Sequence, residues 1–351
     1  MKILAIDLGK NKSVFVDYVT GGSGQQEFGK VATDPAAIHD LLVQRAPDRL
    51  VIEAGPAAGW VHDLAETLGI PIQVANANDQ RWQWKLVKNK TDRTDALKLA
   101  QMSEMGCLPV VHMPATKVRQ WRSFIEYRHG LVGRRTMIKN NIRAIFERQG
   151  LKLPAGDKAW AAAGIAEWGK AAQDASAPAE QLWRFQVHVE LKLLEALEEQ
   201  IKQVESKLAE LAKADQRVRQ LRTAPWVGPR LSEAVVTIID DPKRFKSARQ
   251  VSSYSGLTPR RWQSGESDRQ GHISHAGNRL LRGLLVEVAW LGVRANTWMK
   301  NVYENVRRGS DKRKKIAIVA VARRLLVKLW AMLRDGTEWK EPASSPVALT
   351  T

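Results

Sequence analysis

Apolar positions recur at short period in the first part of the chain and at helical period in the rest. Residues 2–7, Lys-Ile-Leu-Ala-Ile-Asp, form an apolar run that ends in an acid. Residues 13–19 and 26–31 form two further β-rich runs, and Gly21, Gly22 and Gly24 mark a turn between them. Such runs bounded by turn residues predict a three-stranded meander. A helix over 35–46, a strand over 49–53 that again ends in an acid, a helix over 57–68 and a strand over 70–75 follow. Strands first and then helix alternating with strand predict an α/β domain with a mixed sheet. After a Trp- and Lys-rich loop, Lys90-Thr91-Asp92-Arg93-Thr94-Asp95-Ala96 opens a helix carrying Leu97, Leu99, Ala100 and Met102.

From residue 114 the period lengthens. Trp121, Phe124, Tyr127, Leu131, Ile138, Ile142 and Ile145 make one apolar face over 114–150, with Arg134, Arg135, Lys139, Arg143 and Arg148 on or beside the opposite one. Residues 154–179, rich in Ala, Gly and Pro, read as a connector. Leu194, Leu197, Ile201, Val204, Leu208 and Leu211 alternate spacings of three and four, which is a heptad seam on a long helix. One helix cannot bury such a seam alone. It pairs with the 114–150 helix or with a second copy, and the arm is expected to serve both. Residues 222–229 then make a turn resembling the hairpin of a helix-hairpin-helix element. Trp226 replaces its usual first glycine, and Pro229 lacks an amide donor. A helix over 230–239, loops through 254–277, a helix over 278–294, a basic helix over 307–328 and a disordered tail complete the chain. The expected domains are 1–112 (α/β), 113–222 (helical or coiled-coil arm), 223–340 (mainly α) and 341–351 (tail).

Charge sharpens this division. The 351 residues carry 55 Lys plus Arg against 37 Asp plus Glu, yet residues 1–108 hold 12 against 13, leaving 43 against 24 downstream. A basic surplus of this kind points to a polyanion, and nucleic acid is the commonest one in a cytoplasm. The single cysteine, Cys107, excludes an internal disulfide and a Cys-rich zinc site and fits a reducing cytoplasm. No apolar run reaches the roughly 20 residues needed to span a bilayer, so a soluble, unexported protein without a membrane partner is expected.

Two stretches carry candidate chemistry. Asp92 and Asp95 stand three residues apart at a helix start, where acids also serve as ordinary caps. Asp7 and Glu53 each end a strand, and ligands gather outside the carboxyl ends of strands in open α/β sheets. Four carboxylates meeting there repel one another unless a cation lies between them, and Mg2+ or Mn2+ is the natural occupant. Residues 243–282 hold nine Lys or Arg against two acids and several loop serines. Serines ringed by arginine bind phosphate, or one of them attacks phosphorus while arginines neutralise the developing charge. The residues by themselves favour binding, since no base for a serine nucleophile is evident.

Together these motifs resemble a known family. Ile6-Asp7-Leu8-Gly9, Ile52-Glu53-Ala54-Gly55 and the 90–96 stretch are similar to the Asp-Glu-Asp-Asp set of RuvC/RNase H-like domains, in particular of insertion-sequence transposases related to the Piv DNA invertase. An Asp-x-Gly turn also occurs in actin-like ATPases, but the second turn and adenosine motif of that fold are missing. Gly256-Leu257-Thr258-Pro259-Arg260-Arg261 with Ser264-Gly265, and Ile273-Ser274-His275-Ala276-Gly277-Asn278, resemble the C-terminal domain of the same transposases.

The resemblance implies a mobile-element recombinase, cytoplasmic and nucleoid-associated in a bacterium. Ser264 is implied as the nucleophile forming a phosphoserine link, with Ser253, Ser255, Ser267 and Ser274 as fallbacks. Asp7, Glu53, Asp92 and Asp95 are implied as ligands of Mg2+ or Mn2+. His275 stands where lysine is common in that family, which exchanges a fixed charge for a titratable one. The implied partners are DNA at element ends and target, a structured bridge RNA in some relatives, and further copies in a dimer or tetramer. Arg134, Arg135, Lys139, Arg143, Arg260, Arg261, Arg269, Arg279, Arg282, Lys314 and Lys315 are the expected nucleic-acid contacts. Two other readings stay open: a plain RuvC-like nuclease needing no serine, and a non-catalytic nucleic-acid-binding protein.

Overall fold

The structure is a computed structural model that describes residues 1–21, 26–76, 79, 91–169 and 181–340. The expected tail over 341–351, most of the Trp- and Lys-rich loop, Lys90, the tip of the glycine turn and the end of the 154–179 connector lie outside the described residues. The chain divides into two compact units, 1–117 and 118–351.

The first unit is built on five strands. They are β1 (Lys2–Asp7), β2 (Lys12–Val19), β3 (Gln26–Ala32), β4 (Arg49–Glu53) and β5 (Ile72–Ala75), in the order β3-β2-β1-β4-β5. β2 is antiparallel to β1 and β3, while β1, β4 and β5 run parallel. The sheet is therefore mixed, as the order of elements predicts. Alternation along β1 explains why the sheet is covered on both sides. Leu4 and Ile6 face α1 (Pro35–Arg45) and α2 (Ala58–Thr67), packing with Ile38, Leu42, Val61 and Ala65. Ile3 and Ala5 face α3 (Asp92–Glu104), packing with Ala96, Leu99 and Ala100.

The second unit is helical apart from one hairpin. It comprises α4 (Thr116–Arg148, whose first two residues belong to the first unit), α5 (Ala162–Gly169), α6 (Leu182–Ala214), α7 (Gln216–Leu221), α8 (Pro229–Ile239), α9 (Ala248–Tyr254), α10 (Arg279–Ala295), α11 (Thr297–Arg307) and α12 (Lys314–Asp335). Between α9 and α10 stand β6 (Pro259–Ser264) and β7 (Ser267–Ile273), an antiparallel pair. The expectation of loops over 254–277 is corrected here. The basic helix expected over 307–328 starts later and runs further, because the left-handed Arg308 and Gly309 end α11 and a separate turn precedes α12.

The heptad seam is buried within the chain. Leu194, Leu197, Ile201, Val204 and Leu208 of α6 share one core with Leu131, Ile138, Ile142 and Ile145 of α4. The Arg128–Glu205 and Lys139–Glu198 ion pairs join the same two helices. The expected helical partner is thus the neighbouring helix. Along the N-terminal half of α6, Leu182, Phe185, Val189 and Leu193 form a second apolar stripe that is exposed.

Candidate functional site

The first unit gathers the four predicted acids. β1 and β4 are parallel neighbours with Ile6 opposite Ile52, so Asp7 and Glu53, each one residue further on, end adjacent strands side by side. Gly9 permits the turn that follows Asp7, since a Cβ there would stand 2.2 Å from the Lys12 carbonyl oxygen. On α3 the N-cap is Thr91, whose Oγ1 accepts from the Thr94 amide at 3.2 Å. This capping leaves Asp92 and Asp95 one helical turn apart. Asp7, Glu53, Asp92 and Asp95 line one open cleft of about 450 Å³, together with Leu8, Ala54, Gly55 and Ala57. Asp7, Glu53 and Asp95 are half-buried and Asp92 is exposed. An all-carboxylate donor set suits a hard divalent cation.

A further group escaped the sequence reading. On α2, His62, Asp63 and Glu66 bring ligand atoms within 4.8 Å of one another. His62 Nδ1 lies 3.4 Å from Glu66, one turn on, and Thr116 Oγ1 donates to Asp63 at 2.8 Å. The i, i+4 spacing of His62 and Glu66 was the available signal.

The second unit places the serine loop on the β6–β7 hairpin. Every side chain of β6 is exposed, and Ser264 pairs with Ser267 across a two-residue turn at Gly265 and Glu266. Trp262 pairs with Arg269 two steps down the ladder. Alternation puts Trp262, Ser264, Ser267 and Arg269 on one face and Arg261, Gln263, Asp268 and Gln270 on the other. The Trp262 ring lies against Gly271, where a Cβ would meet it at 2.5 Å. On the opposite face Arg261 and Asp268 form a bidentate pair, both contacts at 2.7 Å, which holds the Asp268 carboxyl below its usual range.

Among the other serines, Ser255 is buried and donates to the Ser252 carbonyl at 2.8 Å. Ser253 is exposed, and Ser274 Oγ accepts from the Ala276 amide at 3.4 Å. His275 takes a left-handed φ of 57°.

The predicted cationic contacts separate into exposed and anchored groups. Arg134, Arg269, Arg279 and Lys315 are exposed, and Arg135 is half-buried. Arg260 reaches the Ser274 carbonyl at 3.2 Å, and Lys314 pairs with Asp311 at 3.0 Å. Lys139 sits 3.6 Å from Glu198 and over Trp160. Arg143 donates to the carbonyls of Pro154 and Gly156 at 3.0 and 2.9 Å. Arg282 donates to those of Ser255, Ala276 and Gly277 at 3.3, 2.6 and 3.1 Å, so it ties the hairpin's flanking segments together. Trp226 adopts a left-handed φ of 69° at the turn before α8, and the amides of Val227 and Gly228 are engaged by Ala224 and Trp226.

Comparison with known proteins decides between the readings. The family described as "Transposase IS116/IS110/IS902 family" matches residues 218–304, and the transposase family of the IS110 DEDD type matches residues 4–149. The chain belongs to the IS110/IS116/IS902 family of transposases. Its members are enzymes of DNA cleavage and strand transfer, and the comparisons do not favour a plain junction nuclease over that reading. The transposase for insertion sequence element IS1111A of Coxiella burnetii is 27% identical over 95% of this chain and 90% of that one. The pilin gene-inverting protein of Moraxella lacunata is 33% identical over 34% of this chain and 38% of its own. Among solved structures, Thermus thermophilus RuvC is 16% identical, covering 32% of this chain and all of that one, with a TM-score of 0.23. The two family matches fall on the two candidate centres, one on the acid cleft and one on the hairpin.

Proposed function

We propose that this transposase cuts and rejoins DNA through a phosphoserine link formed by Ser264. The observation that carries the serine step is the hairpin face, which presents Ser264 at an exposed tip beside Ser267, with Arg269 and Trp262 two pairs below on the same face. A two-stranded ribbon is narrow enough to enter a DNA groove. Ser264 Oγ forms the new bond to phosphorus, the ester bond to the departing strand breaks, and the serine proton leaves to water. The departing oxygen takes up a proton. Arg269, on the same face, neutralises charge gathering on the phosphoryl oxygens. Attack on the phosphoserine by the hydroxyl end of a second strand restores the serine and joins that strand.

Asp7, Glu53, Asp92 and Asp95 are the residues that would hold Mg2+ or Mn2+. When bound, such an ion polarises phosphoryl oxygens and stabilises a leaving oxygen. The four side chains supply the hard oxygen donors and hold them at the ends of rigid elements. In this reading residues 1–112 form the metal domain, 113–222 the assembly arm and 223–340 the serine domain. The two centres meet between copies in a dimer or tetramer, the downstream basic surplus engages DNA and a bridge RNA, and the protein works in the bacterial cytoplasm at the nucleoid.

The test is incubation with element-end DNA, Mg2+ and candidate RNA, followed by a search for a covalent protein–DNA adduct. Wild type and Ser267→Ala form the adduct and Ser264→Ala does not. Adduct formation by Ser264→Ala overturns the assignment.

A further inference from the structure

Asp92 also lines a second cavity in the first unit, of about 550 Å³, with Val14, Phe28, Gly29, Lys30, Thr91 and Arg93 around it. Its electrostatics are reversed relative to the acid cleft, with two cations to one carboxylate. Val14, Phe28 and Lys30 share the sheet face covered by α3, since Val14 pairs with Lys30 and Val16 with Phe28. Thr91 to Arg93 begin α3 itself. The Arg93 guanidinium lies over the Phe28 ring at 5.1 Å from its centroid, within cation–π range. Both Arg93 and Lys30 are exposed. Helix stability does not account for Arg93, because a cation in the first turn opposes the helix dipole.

A guanidinium plane resting on an aromatic ring offers its outer face to a nucleobase, and a lysine ammonium serves phosphate as a point charge. We infer that this cavity is a nucleotide subsite for the DNA strand that enters the acid cleft. Lys30 takes a backbone phosphate, and the base stacks on the Arg93–Phe28 pair. Phosphate and acid cleft are brought into reach of each other by the carboxylate the two cavities share. The inference rests on the reading of the acid cleft as a cleavage centre.

A site-resolved experiment tests it, because the basic second unit binds DNA on its own account. Full-length protein is photo-cross-linked to single-stranded DNA carrying 5-iodouracil, without divalent metal, and the modified peptides are identified by mass spectrometry. Cross-links are expected on the peptides containing Phe28 or Arg93. Their yield falls about fivefold or more in Arg93→Ala, in Arg93→Lys, which keeps the charge but loses the stacking plane, and in Lys30→Ala. Wild-type cross-links confined to the second unit, or unchanged yields in the variants, overturn the subsite. RNA of the same sequence cross-linking there in preference to DNA overturns the choice of strand. The cleavage-centre reading fails separately, if Asp7→Asn leaves metal-dependent DNA cleavage intact while the cross-links persist.

Discussion

Glu233 of α8 is fully buried, and Arg230 Nη1 reaches its carboxylate at 2.9 Å. Burial pushes this carboxyl above its usual range, and the opposing pull of Arg230, Arg128 and Arg222 does not cancel the effect. A folded-state value above the unfolded one gives a contribution to stability that is complete below the ordinary carboxylate pKa and is lost as pH rises through the raised value. Glu233→Gln carries no charge and keeps an acceptor for Arg230. Its thermal midpoint relative to wild type should therefore climb between pH 4 and pH 7. A relative midpoint that falls over that interval contradicts the assignment of burial as the dominant cause. Nothing in the residue string marked Glu233, which reads as an ordinary polar position; its environment is set by the elements that surround α8. The acids of the cleft were legible for the converse reason. Asp7 and Glu53 each close an apolar strand, and parallel pairing in register brings strand ends together without further information.

At the scale of elements, amphipathic faces were readable wherever one side meets a core. The seam of α6 shows this directly, since Leu194, Leu197, Ile201, Val204 and Leu208 are buried, while Leu211 at its end is half-buried. Leu208 is fully buried there, and Leu208→Ala should cost about 2–5 kcal/mol, read from denaturant unfolding followed by far-UV circular dichroism. A loss under 1 kcal/mol would show that the seam is not packed by α4. The β6–β7 hairpin was hidden because both of its faces meet solvent. Without a buried face there is no alternation of apolar and polar residues, and Pro259, Gly265 and Gly271 read as loop signals. What holds it is pairwise: the Arg261–Asp268 bridge on one face and Trp262 against Gly271 on the other. The Lys30–Phe28–Arg93 cavity was hidden too, because β3 and α3 lie far apart in sequence and only the fold brings them together.

Across the whole molecule, charge and chemistry are divided. The near-balanced region 1–108 carries the acid cleft, and the remaining residues, with 43 Lys plus Arg against 24 Asp plus Glu, carry the hairpin. Duplex DNA affinity should accordingly depend steeply on salt. Six or more phosphate contacts imply a loss of roughly a thousandfold or more between about 50 and 200 mM salt. A titration showing little salt dependence would remove the electrostatic footprint from the account. Among the described residues no helix is long and apolar enough to cross a bilayer.

The hairpin also imposes a parity rule on change. Ser264 is the last residue of β6, and successive strand residues point to opposite faces. One residue inserted between Trp262 and Ser264 would turn the hydroxyl away from the Trp262 face, to the side where Arg261 and Asp268 sit. Two inserted residues would restore its facing and displace it by about 6.6 Å along the strand. On the serine reading proposed above, length changes in this ribbon that keep the hydroxyl on the Trp262 face come in even steps, and each step trades the reach of the serine for its distance from the anchored base.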